Sequence, residues 1–387
     1  MFDVVCAIDP RFAGGTAAAL ASDVTAFLDA GRSVGLIEVT SPYLADMRAP
    51  RSKVIEALHQ DPRLRIVNAA TDGVIRAKTA FLHHPMTFFY GLDQKIRLEV
   101  ESAFLVAHHL PFRGDGSLQY DPVATSWRSY RATGAWPVWA PVSGVCRQQL
   151  QSFAPFIRIA GEDWPNVFDI SEWTPQRQKF GDDVLTIGRH GRADPLKWPE
   201  TAAKVAAGLP VLPQSRIRVM GVPEQDLRDM GVDMSGWQIT PFDTMPVPVF
   251  VDELDIFAYH YHPMWAECFG RTIAEAMLMG VPCVLDPRLK PTFGDLAIYC
   301  PVEQAGEMIE KLRADPVGAR KMAATAHEAM IARHGTGSVD GRLDRFASGS
   351  MTRASVRRVA SPLAVLRKTM GMIRRKEYFL SHLSAKQ

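Results

Sequence analysis

Short apolar runs alternate with amphipathic stretches along most of this chain. Val4 to Ile8 is wholly apolar and ends at Asp9-Pro10; past Gly14-Gly15, apolar positions recur at helical spacing from about Thr16 to Ala30, where Gly31 stops them. A strand, a glycine pair and a helix make a first βα unit. Further strands are predicted at Val34 to Val39, Leu64 to Ala69 and Ala80 to Leu82, the last leading into His83-His84-Pro85. A helix over Asp93 to Ser102 is expected to feed a buried strand, Ala103 to Ala107, which ends at His108-His109. Trp136 to Val142 reads as another strand, followed by a helix over Gly144 to Phe153.

Residues 160–182 are polar and punctuated by Pro165 and Pro175, which places an interdomain linker there. Beyond it, strands are predicted at Val184 to Ile187, Ile217 to Met220, Trp237 to Thr240, Ile256 to Tyr259 and Pro282 to Leu285. Strands that alternate with helices predict an α/β protein with parallel sheets. At 387 residues, 47% of them hydrophobic, the chain is long enough for two cores. Residues 1–165 and 183–345 are the expected domains, and 346–387 a basic helical tail.

Within the second series one stretch stands apart. Glu267 and Glu275, eight positions apart, bracket Phe269-Gly270 and the start of a short helix, Arg271 to Met279, closed by Gly280 and Pro282. Ile273, Ala274, Met277 and Leu278 give that helix its buried face. Its N-terminus, around Phe269 to Thr272, offers unpaired backbone N–H groups to anionic or hydroxyl oxygens. The two carboxylates beside it add acceptors for sugar hydroxyls.

The segment from Glu267 to Pro282 resembles the E-x7-E signature of retaining GT-B glycosyltransferases, in particular glycosyltransferase family 4. The resemblance implies a GT-B fold, two Rossmann-like doubly wound domains facing a central cleft. It puts Glu267 and the Phe269-Gly270 backbone at the donor sugar, Arg271 and Thr272 at the donor-binding helix end, and Glu275 on the ribose. Arg189, after Ile187-Gly188, matches the family's phosphate-binding Arg. Lys197 matches its Lys, although the two stand farther apart than in the family, and Arg192 is an alternative. Gly14 and Gly15 resemble the glycine-rich first loop that approaches the donor phosphates. His109 or His108 matches a histidine close to donor sugar and acceptor, and His84 resembles a second cleft residue. Base contacts are expected from the loops near Gly221 and Thr240-Pro241-Phe242.

Charge and cysteine content narrow the picture further. Lys plus Arg (44) nearly balance Asp plus Glu (42), so no nucleic-acid partner is expected. Five cysteines without a C-x-x-C pair fit free thiols in a reducing cytoplasm. The N-terminus reads as a strand rather than a signal peptide, and no apolar run reaches the length of a membrane span. The expected location is cytoplasmic, at most peripheral at the inner face of the membrane. Residues 351–387 carry nine Lys or Arg against Glu377 alone, with Leu363, Val365, Leu366, Met370 and Ile373 interleaved. That tail reads either as a helix on anionic lipid or as a helix packed on the first domain. No Asp-x-Asp, complete G-x-G-x-x-G, P-loop, H-E-x-x-H or G-x-S-x-G is present, so neither a metal nor a bound cofactor is expected.

The resulting expectation is a retaining, metal-independent transferase acting on a nucleotide-diphosphate sugar and a glycan or lipid-linked acceptor, in polysaccharide or glycoconjugate synthesis. A nucleotide-sugar epimerase or phosphorylase of the same fold, and a non-catalytic sugar-nucleotide-binding scaffold, are the alternatives.

Overall fold

The computed structural model describes residues 1–47, 50–242, 244–349 and 358–378. The chain divides into two compact units, one formed by residues 1–168 with 336–387 and the other by residues 169–335.

The first unit is built on a parallel sheet of six strands: β1 (Phe2–Ile8), β2 (Val34–Glu38), β3 (Arg65–Val67), β4 (Val74–His83), β5 (Arg97–Ala107) and β6 (Val138–Pro141). Their spatial order is β3-β2-β1-β4-β5-β6. This is a doubly wound order, whose reversal between β1 and β4 opens a crevice at the carboxyl ends of the strands. Helices α1 (Gly15–Asp29), α2 (Lys53–Leu58), α3 (Pro85–Tyr90), α4 (Pro122–Thr133) and α5 (Gly144–Leu150) connect or flank the strands. The strand centres are apolar on both faces, as a sheet covered on both sides requires.

One predicted element is corrected. No helix covers residues 93–102; residues 97–107 form the single strand β5, in register with β4 from Arg97 opposite Val74 to Val106 opposite His83. Its first half alternates exposed Arg97, Glu99 and Glu101 with more buried Leu98, Val100 and Ser102, the period of a strand with one wet face. Arg76 answers Glu99 across the pair at 2.7 Å.

The second unit repeats the plan. Strands β7 (Leu185–His190), β8 (Ser215–Met220), β9 (Trp237–Thr240), β10 (Ile256–Tyr259), β11 (Cys283–Leu285) and β12 (Ile298–Tyr299) run parallel in the order β12-β11-β10-β7-β8-β9. The reversal falls between β7 and β10. Gly188 of β7 sits where a side chain would overlap the Arg218 carbonyl of β8, so the close strand approach requires glycine. The surrounding helices are α6 (Ala202–Gly208), α7 (Glu224–Asp229), α8 (Val247–Asp252), α9 (Arg271–Leu278), α10 (Lys290–Phe293), α11 (Ala305–Ala314) and α12 (Pro316–His334).

After Gly335 the chain returns to the first unit through α13 (Val339–Ser348) and α14 (Pro362–Arg374). Residues 336–345, placed with the second domain by the sequence, pack in the first. The ring of Phe346 meets Phe104 at 5.0 Å and Trp164 at 4.9 Å, while Arg32 pairs with Asp340 and Asp344. Helix α14 lies on the same unit through buried Val365 and Met372; Lys368 donates to the Gly116 carbonyl and Arg375 to that of Leu118 at 3.2 Å. Residues 350–357 and 379–387 of the expected tail lie outside the described residues. All five cysteines are free thiols, and among the described residues no helix is long and apolar enough to cross a membrane.

Candidate donor site and histidine cluster

In the second unit the expected donor residues converge on the carboxyl ends of β7 and β10 and on the head of α9. Gly270 caps α9 at φ 85°, a left-handed conformation that favours glycine, and supplies no side-chain cap. The backbone N–H groups of the first turn therefore face outward from the helix with its partial positive charge. Phe269 is buried against Phe293 and His334 and fixes the turn that aims them.

Glu275 lies one turn into α9 and is buried. Its Oε1 accepts from Arg271 Nε at 2.9 Å, and its Oε2 stands 3.3 Å from His190 Nε2. Burial pushes the Glu275 carboxyl up, with Arg271 opposing the shift. Burial pushes His190 down to about 3, aided by the positive charge of Lys197, so the ring is neutral near neutral pH. Thr272 contributes its backbone to the same ring. His190 had no role in the sequence reading, although it follows Arg189 directly. Strand alternation turns the two side chains to opposite faces of β7.

Glu267 is anchored by two neutral donors. Its Oε2 accepts from the Tyr259 hydroxyl at 2.9 Å and from Trp265 Nε1 at 3.1 Å, and Lys197 Nζ stands 4.0 Å away. The carboxylate is thereby oriented without being neutralised by a tight ion pair. Tyr259 and Trp265 are contributors that the sequence reading missed.

Arg189 takes a different posture from a free phosphate ligand. Its guanidinium is buried between the rings of Trp198 and Tyr259, each 4.3 Å from Cζ, and donates to the carbonyls of His260 at 2.9 Å and Lys197 at 2.6 Å. Desolvation lowers it to about 10, which leaves it charged. In this arrangement Arg189 fixes the backbone of the loop that presents Lys197.

The other candidates belong to the first unit. Gly14, at φ 66°, caps α1 without a side-chain partner, and Gly15 begins the helix; a Cβ at either would meet nothing. The α1 N-terminus is open and carries no acidic residue in its first turn. At the ends of β4 and β5, His83 Nδ1 lies 3.0 Å from His108 Nε2 with the rings stacked, and His84 faces His109 at 5.6 Å between ring centres. His84 also packs on Phe12 at 4.1 Å, so the loop leading to Gly14 and this histidine meet through an aromatic ring. Burial pushes His83 and His84 well down and His108 to about 3, leaving all three neutral. His84 holds φ 73° immediately before Pro85, a strained conformation of the kind found where a side chain's position matters. Tyr120 donates to the His109 carbonyl at 2.7 Å and fixes the end of that strand. Among the described residues no group of three or more His, Cys, Asp or Glu could hold a metal ion.

Two parallel doubly wound sheets, each with a glycine-capped helix at its carboxyl edge, define a GT-B fold. Solved structures agree. Anabaena HepE in complex with UDP and glucose matches 90% of this chain and 100% of its own at 13% identity, with a TM-score of 0.61. A glycosyltransferase from Rickettsia africae matches 90% and 98% at 11% identity and 0.63. A variant of S. aureus TarM, in complex with Fondaparinux, alpha-GlcNAc-glycerol and UDP, matches 90% and 100% at 11% identity and 0.62. At such identities the fold is what is shared. No family model matches the chain, and no curated protein resembles it in sequence.

Proposed function

We propose that this protein is a retaining glycosyltransferase of the family 4 type, which moves a sugar from a nucleotide-diphosphate donor to an acceptor hydroxyl. The observation that carries the reading is the setting of Glu275: buried at the head of α9, tied to Arg271 and close to His190, with Glu267 and Lys197 nearby. A buried carboxylate among fixed donors is built to accept from hydroxyls, and we assign it the ribose. Glu267, oriented by Tyr259 and Trp265, takes hydroxyls of the sugar. Lys197 and the first N–H groups of α9 meet the diphosphate charge, so this reading calls for no metal. Arg189 acts by holding the Lys197 loop.

As the sugar bond breaks, negative charge grows on the leaving diphosphate. Lys197 and the α9 N-terminus are fixed in advance where they stabilise it. The resemblance to family 4 assigns retention to a front-side substitution, in which the leaving phosphate takes the acceptor proton. His108 or His109, with His84, is assigned to the acceptor and donor sugar, and Gly14-Gly15 to the donor phosphates. The UDP and UDP-glucose complexes of HepE support a nucleotide-sugar donor. A glycan or lipid-linked acceptor in polysaccharide or glycoconjugate synthesis completes the reading.

Thermal-shift titration with UDP, GDP, ADP and their sugars tests it, because a ligand that binds only the folded state raises stability by mass action. One nucleoside diphosphate should raise the melting temperature, and its sugar conjugate should support transfer. Glu275→Ala should weaken that nucleotide by roughly tenfold or more, the scale of one lost charge-assisted hydrogen bond. Absence of any nucleotide response across the panel would falsify the reading.

A further inference from the structure

Helix α14 packs on the first unit through one face only. Val365 and Met372 are buried, and Lys368 and Arg375, on the same side, reach backbone carbonyls of Gly116 and Leu118. At 100° per residue, Leu363, Leu366, Met370 and Ile373 fall on the opposite face. These four are between 42% and 58% exposed. A helix whose only function was to clamp the unit would carry polar side chains there. Arg367 and Arg374 fall beside the stripe on the same face, exposed, and Arg358 and Lys376 flank the helix at its two ends, also exposed. No ion pair engages any of these four cations among the described residues. Glu377, the one acid from 358 to 378, is turned to Arg113 and Arg375.

We propose that the outward face of α14 docks this protein on an anionic lipid surface, with the helix lying in the interfacial plane. The apolar stripe supplies burial among the acyl chains, and Arg367 and Arg374 sit at the level of the headgroups. The charge sign selects the surface: a stripe bordered by unpaired guanidinium groups suits phosphatidylglycerol-like headgroups and repels a basic one. Packing on the first unit and binding to lipid, opposed as readings of the sequence, use different faces of one helix. The inward face anchors the helix to the protein, so docking needs no rearrangement of the fold. The inference stands apart from the proposed transfer reaction.

Flotation of the full-length protein with vesicles tests it. Vesicles of phosphatidylcholine alone should leave the protein in solution. Equal parts of phosphatidylcholine and phosphatidylglycerol should carry it up, less so at high salt as the charges are screened. Removing two cations by Arg367→Gln with Arg374→Gln should lower partition about 25-fold, from roughly fivefold for each basic residue at such a surface. Replacing Leu363, Leu366, Met370 and Ile373 by Ser should lower it by at least about tenfold. Both variants should keep the wild-type melting temperature, since the altered side chains are outward, and both should retain any nucleotide response. Failure of the wild type to float, equal flotation on both vesicle types, or undiminished flotation of both variants would overturn the proposal. So would a concentration-dependent dimer that the four Ser substitutions abolish, because the stripe would then be the seat of a second copy.

Discussion

At the scale of single residues, the site turns on His190 and Glu275. Both are buried, one neutral by desolvation and the other pushed up, and they approach to 3.3 Å. A leucine at 190 would leave Glu275 with Arg271 and put an apolar side chain against its Oε2. Calorimetric titration should show His190→Leu weakening the nucleoside diphosphate by about five- to twentyfold, the worth of roughly one to two kcal/mol. His190→Gln, which restores an N–H at similar reach, should recover most of that loss; equal affinity of both variants and wild type would remove His190 from the site. The glutamates themselves were legible in the sequence because a short helix with fixed start and stop residues surrounds them. His190 was not, since its partner is 85 positions away and only the closure of β7 against the head of α9 joins them. Arg189 shows the converse. Its position was legible, but its burial between Trp198 and Tyr259 depends on β10 lying beside β7, an adjacency that periodicity does not reveal.

At the scale of elements, α1 carries a buried carboxyl that links folding to pH. Asp23 is buried on that helix, accepts from Trp164 Nε1 at 2.9 Å, and is pushed up to about 7 by desolvation against the opposing effects of Trp164 and Arg342. Between the ordinary carboxylate value of 3.8 and about 7 the folded protein keeps a proton that the unfolded chain has released. Unfolding therefore releases a proton in that window, and stability falls as pH rises through it, by about 4 kcal/mol at most. Asp23→Asn keeps an acceptor for Trp164 and removes the titration. Thermal melts should place Asp23→Asn above the wild type at pH 8, with the difference closing at pH 5. A gap that does not change with pH would show that the carboxyl does not titrate there. Elements also mark where sequence reading failed. The first half of β5 alternates charged and apolar residues, and the helix expected over residues 93–102 does not form. Pairing with β4 settles the contest, a long-range contact absent from any local window.

At the scale of the whole molecule, the two units differ in how the chain builds them. Residues 169–335 run without interruption and contain their own sheet and core, centred on Ile187, Ile217, Val219, Ile256 and Val284. The first unit closes only when the chain returns after Gly335. No shift in composition marks that return, which is why the boundary was expected near 346. The dependence is concentrated in α13. Phe346 seals the aromatic cluster of Phe104 and Trp164, Arg342 lies over the Trp164 ring at 5.6 Å, and Arg32 pairs with Asp340 and Asp344. Phe346→Ala should cost about 3–5 kcal/mol, the price of an emptied aromatic site. Expressed separately, residues 169–335 should melt cooperatively and retain the nucleotide response, whereas residues 1–168 should show no cooperative transition until a peptide spanning 336–378 is added. Circular dichroism melts of the two fragments decide the matter. A cooperative melt of 1–168 alone would mean that β1 to β6 and their helices suffice, and that α13 and α14 are attached to a finished core rather than completing it.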